Sequence, residues 1–111
     1  MILPVTHNLD SIIIGTTWDP ESMVIIVDGT IKDLTQCVVN LVIHKNDTTI
    51  ATLSSGAGLI VDQLNGTIAP SLTVTQTNTY AVGEYNYYLN ITEPDGTTIY
   101  RYTEGNIEVR V

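Results

Sequence analysis

Basic residues are scarce in this chain. Lys32, Lys45, Arg101 and Arg110 stand against twelve acidic residues, for a formal net charge of −8. Holding a phosphate backbone requires clustered Lys and Arg. These four are scattered, which argues against nucleic acid as a partner, and the same deficit argues against docking on an anionic membrane. Cysteine is nearly absent too: Cys37 is the only one, so no intrachain disulfide can form and packing must hold the fold. A catalytic thiol needs a nearby histidine and an electropositive setting. His44 lies far along the same expected strand and on its opposite face, so Cys37 reads as a small core residue. Long hydrophobic runs are missing as well. "MVIIV" and "CVVNLVI" fall far short of the ~20 residues that span a bilayer. "MILPVTHNLD" has no basic start, and Pro4 interrupts its apolar stretch, so no targeting segment is expected.

What is present is a strand-forming chain. Its 111 residues imply one domain, and 43% hydrophobic content supplies a core. Charged residues make up only 14%, against roughly 25% in ordinary soluble domains, so Thr, Ser, Asn and Gln must cover much of the surface. Helical periodicity is nearly absent, while period-two alternation recurs. "SIIIG" (Ser11 to Gly15) and "MVIIV" (Met23 to Val27) read as strands, the second closed by the turn pair Asp28-Gly29. In "CVVNLVIH", Cys37, Val39, Leu41 and Ile43 share one face, and Val38, Asn40, Val42 and His44 the other. "TTIATLS" continues after a tight turn, "SGAG" is a flexible corner, and "LIVD" is followed by Asn65-Gly66, a hairpin signal. "TIAPSL" returns, with Pro70 at an edge or strand end. In "EYNYYLNIT", Tyr85, Tyr87, Leu89 and Ile91 face one way, and Asn86, Tyr88, Asn90 and Thr92 the other. "TTIYRY" and "IEVRV" close the chain as two strands. One segment breaks the pattern: Thr73 and Gln76 have capping-box spacing, which predicts a single short helical turn near residues 73–79.

Short alternating strands separated by turns predict an all-β fold, an antiparallel sandwich with one buried and one wet face per strand. Tyr80 and Tyr85 flank "AVG", and a tyrosine leading into a central strand is similar to the corner tyrosine of immunoglobulin-like sandwiches. The expected organisation is an N-terminal arm, residues 1–10, followed by a single β-sandwich domain, residues 11–111.

Five pieces in order strengthen this expectation: "GTTWDP" (Gly15 to Pro20), "DLTQCVVNLVI" (Asp33 to Ile43), "GEYNYYLNI" (Gly83 to Ile91), "EPDGTTI" (Glu93 to Ile99) and "GNIEVRV" (Gly105 to Val111). Together they resemble the small immunoglobulin-like β-sandwich domains of tailed-bacteriophage tail, baseplate and virion proteins. The chain departs from that pattern at Gln36 and Cys37, where the family has Gly and Ala. The resemblance implies a non-enzymatic structural protein of a phage particle, assembled in the host cytoplasm. Its implied place is tail, neck or baseplate, and its implied partners are other virion proteins and copies of itself. Rival expectations are a capsid decoration or head-fibre protein and a host-surface or sugar-binding adhesion module.

Candidate chemistry is thin. Most carboxylates fall in predicted turns, where Asp serves the turn backbone. Paired carboxylates for glycoside hydrolysis need a cleft that so small a sandwich is ill suited to build. No EF-hand-like ligand run is present, so neither a metal nor another cofactor is expected. Asn46, Asn65 and Asn90 match the glycosylation pattern by chance in a Thr- and Asn-rich sequence. The candidate partner contacts are Ile2, Leu3 and Val5 in the uncharged arm, Trp18, and Tyr88 on an outer face. Trp18 serves equally as a partner anchor or as a cover for one end of the sandwich. The arm, extended because of Pro4, is expected to add a strand to a neighbour rather than to its own sheet.

Overall fold

The computed structural model describes residues 5–111. Its strands are β1 (Val5–Thr6), β2 (Ile12–Ile13), β3 (Met23–Val24), β4 (Ile26–Val27), β5 (Thr30–Ile31), β6 (Val38–Lys45), β7 (Thr48–Ser55), β8 (Gly58–Asp62), β9 (Thr67–Pro70), β10 (Gly83–Thr92) and β11 (Ile99–Arg110). One short helix, α1 (Val74–Thr77), separates β9 from β10. The protein is all-β, with 56% of the described residues in strands and bridges and 4% in helix.

The sheet runs β1-β11-β10-β6-β7-β8-β9-β3, with β2 also on β11, and β4-β5 form a small second sheet. The main sheet curls around a single core, and it is mixed rather than antiparallel. Both β1 and β2 run parallel to β11, and β7 meets β8 in parallel register at Ser54 and Ser55. β1 and β2 pair with the last strand, far away in sequence, and β7 and β8 meet across the short Gly56–Ala57 corner, so no hairpin signal marks any of these joins. The "SGAG" corner makes the last of them. Gly58 has φ +98, and a Cβ there would stand 2.6 Å from Leu53 Cδ2, so the corner requires glycine.

Alternation in the central strands matches the sequence reading. Val39, Leu41 and Ile43 of β6 are buried, as are Tyr85, Tyr87, Leu89 and Ile91 of β10. These strands pair antiparallel, with Leu89 opposite Leu41. Leu9, Ile12, Trp18, Leu59, Ile68 and Ile107 join them in one cluster. At the start of β10 the Tyr85 hydroxyl donates to Ala81 O at 2.8 Å and accepts from Ala81 N at 3.1 Å, pinning the chain entering the strand. The helical turn is also present. Thr73 Oγ1 accepts from Gln76 N, and Gln76 Oε1 accepts from Thr73 N. Buried Thr77 then donates to Thr16 O at 2.7 Å, tying α1 to the tryptophan loop.

Three boundaries differ from expectation. The run Met23 to Val27 is two strands, with buried Ile25 between them donating to Gly66 O and accepting from Lys32 N. The tight turn at Asp28 (φ 53) and Gly29 (φ 78) forces Ile26–Val27 to pair back on Thr30–Ile31. "TTIYRY" and "IEVRV" are one continuous strand, β11, with a bulge that leaves Tyr102 unopposed between the partners of Leu89 and Asn90. The first expected strand shrinks to Ile12–Ile13.

The arm also departs from expectation where it is described. Val5 pairs with Thr103, His7 N donates to Glu104 O at 2.8 Å, and Leu9 is buried. Residues 5–10 therefore lie on the chain's own sheet. A strand added to a neighbour does not describe them.

Candidate functional site

The outer face of β6, β10 and β11 is a grid set by strand register. Tyr88 stands between Val42 and Glu104, Asn86 between His44 and Asn106, and Asn90 between Asn40 and Arg101. Tyr88 is the centre of the grid because it sits mid-strand on the face opposite buried Tyr87 and Leu89. Arg101 lies over it, with Cζ 4.0 Å from the ring centroid, and its Nε reaches Asn90 Oδ1 at 3.5 Å. The His44 ring tilts against Tyr88 from the other side at 5.6 Å. Asn86 donates to Asn106 Oδ1 at 2.8 Å, and His44 Nδ1 is 3.1 Å from Asn46 O. A shallow hollow of about 260 Å³ opens among Thr6, His44, Asn86, Arg101, Glu104 and Asn106.

This face offers a held aromatic ring, one guanidinium and several amides. Those groups suit contact with another molecule. They do not form a nucleophile–base pair. Cys37 is half-buried, and its thiol is pushed up by burial and then by the charge of Glu93, which works against a thiolate. Asp33 and Asp95 spend their oxygens on turns. Asp33 accepts from Thr35, and Asp95 accepts from Thr97 N, Thr98 N and Thr98 Oγ1. Among the described residues no three His, Cys, Asp or Glu side chains gather as metal ligands would. None of the described helices is long and apolar enough to cross a membrane.

The five candidate contacts meet different fates. Ile2 and Leu3 lie outside the described residues. Val5 pairs through its backbone at the β1 edge. Trp18 is 3% exposed, and its Nε1 donates to Asp10 O at 2.9 Å, so it covers the core between loop and sheet. Of Trp18 and Tyr88, the candidates whose side chains are described, only Tyr88 stands on an open face. Arg101 and His44 are the partners that sequence reading missed. His44 shares one face of its strand with Val42, and only the pairing of β6 with β10 brings that face beside Tyr88. Arg101 was hidden because the bulge at Tyr102 decides which β11 side chains turn outward.

Comparison of the chain with protein-family models and with curated proteins returns no match.

Proposed function

We propose that this protein is a non-enzymatic structural module of a tailed-phage particle, in the tail, neck or baseplate, which assembles with neighbouring virion proteins and with copies of itself. The observation that carries the assembly reading is the Arg101–Tyr88 stack at the centre of an open, amide-lined sheet face. Tyr and Arg on a prepared surface are the residues that most often dominate protein contacts. The phage assignment rests on the ordered resemblance of five sequence pieces. The Tyr85–Ala81 hydrogen bonds add support, because a corner tyrosine of this kind marks immunoglobulin-like sandwiches. In this reading the curled sheet is a variant of that sandwich. The net charge of −8 favours protein partners over nucleic acid or anionic lipid. A sugar-binding role is less favoured, since stacking on a sugar needs exposed ring faces. Here Trp18 is in the core and Arg101 already covers Tyr88.

The test is incorporation. Particles purified from cells carrying the gene are analysed by mass spectrometry for this chain. The wild type is expected in the particles. Tyr88→Ala combined with Arg101→Ala is expected to fold normally and to be depleted from them. A wild-type protein that stays wholly outside the particles overturns the reading.

A further inference from the structure

We infer that two copies of this chain join edge to edge through β7, forming one sheet that continues across a two-fold axis. This rests on the reading of the protein as an assembly module, and it names one contact that such a module makes.

The first observation is an open edge. Strand β7 pairs with β6 along its length but with β8 only at Ser54 and Ser55. On that outer side the backbone of Ser54 exchanges hydrogen bonds with Ala57. Antiparallel ladders send the N–H and C=O of alternate residues to the same side. Thr52 therefore presents both groups to the same outer edge, where no strand among the described residues receives them. A cleft of about 640 Å³ separates this edge from α1, lined by Ile50, Thr52, Leu72, Thr75, Gln76 and Thr79 among others. The margins at β1 and β3 are two residues each, whereas β7 has eight.

The second observation is how little guards it. Long edges facing water are normally protected by Lys, by Pro or by bulges. β7 contains neither a charged residue nor a proline. Its one irregularity, the register shift at Ile43/His44, bends the Thr48–Ile50 end and leaves Ala51–Ser55 regular.

The third observation identifies the occupant. From Thr48 to Gly83 the only charged residue is Asp62. Strands β7, β8 and β9 and helix α1 thus form a neutral flank on a chain of net charge −8. Two identical acidic chains repel one another through most of their surfaces. On this flank, whose one charge is Asp62, they approach with little of that penalty. Exposed apolar side chains, Ile50 at 41% and Val74 at 45%, stand on the same flank. An antiparallel pair of identical strands is self-complementary, as a two-fold interface requires. It sets the Thr and Ser side chains of one β7 beside those of the other, a favourable cross-strand pairing.

The experiment is sedimentation equilibrium on the purified chain, at low and high salt. The wild type is expected to reach a dimer, with the dimer favoured by salt because screening relieves the residual repulsion. Thr52→Lys, which places like charges across the joined edges, is expected to weaken self-association at least tenfold, about 1.4 kcal/mol. Thr52→Pro, which removes an outward N–H, is expected to do the same. Both variants are compared with wild type by circular dichroism and thermal melting at dilutions where all are monomers. If the proline variant does not fold, the lysine variant carries the result. A wild type that remains monomeric at every concentration overturns the inference, as does a dimer that a folded Thr52→Lys leaves intact. The measurement uses no particle, so its failure leaves the virion reading standing, and absence from particles leaves the dimer standing.

Discussion

The hydroxyl of Tyr87 donates to the backbone carbonyl of His7, 80 residues earlier in the chain. The ring belongs to the core strand β10, and the carbonyl belongs to the segment that adds β1 to the sheet. One hydrogen bond therefore fastens the sheet margin to the interior.

Tyr80 and Tyr87 offer a matched comparison. Both are buried, and burial pushes both hydroxyls up from the usual tyrosine value. Tyr87 has its partner, whereas the Tyr80 hydroxyl has none. Tyr87→Phe should cost about 0.5–1.5 kcal/mol, the net worth of an intramolecular hydrogen bond. Tyr80→Phe should be neutral or stabilising, because it removes an unsatisfied buried group. Urea unfolding of both variants gives the sign directly, and equal losses would contradict the asymmetry.

Gly105 carries the same join from the other side. A Cβ placed there would overlap the His7 carbonyl. Gly105→Ala should push the N-terminal segment off β11 and cost about 1–3 kcal/mol, as overpacking does. The His7 amide, now bonded to Glu104 O, should exchange its hydrogen faster, while amides in β6 should change little at matched stability.

Leu89→Ala tests the core. Leu89 is fully buried opposite Leu41. Its truncation should destabilise the protein by roughly 2–5 kcal/mol. A loss below about 1 kcal/mol in denaturant melts would be that of a surface site.

Asp95 sets an acid limit on the turn before β11. Hydrogen bonds from the Thr98 side chain and from the Thr98 and Thr97 amides lower its carboxyl from 3.8 to about 2. A lowered folded-state value means stabilisation that is fully present above 3.8 and is lost as pH falls through about 2. Asp95→Asn should therefore reduce stability at neutral pH and flatten the fall over that acid range. A variant whose stability tracks wild type throughout would show that the carboxylate contributes nothing there.

Removing Cys37 and His7 together by alanine replacement should leave a folded protein that still enters particles. Cys37 is only partly buried, and His7 is exposed. Depletion of a folded double variant from particles would assign one of them a contact.

The local features of this protein are written in its sequence because they depend on neighbours. Period-two alternation placed Leu41, Tyr87 and Leu89 inside and Tyr88 outside, since strand side chains alternate whatever the partner. Thr73 and Gln76 meet across one helical turn, so their spacing revealed the capping box. Asp28-Gly29 announced a reversal for the same reason. Tertiary structure decided which edges meet. Backbone hydrogen bonds carry no side-chain identity, so nothing in "VTHN" or "TTIYRYTEGNIEVRV" told β1 to run parallel to β11 or the two closing segments to fuse. Trp18 went to the core because Leu72, far along the chain, bridges to it. The Tyr88 half of the candidate site was legible from one strand. The Arg101 half was not, because the bulge at Tyr102 exists only once β10 and β11 have paired.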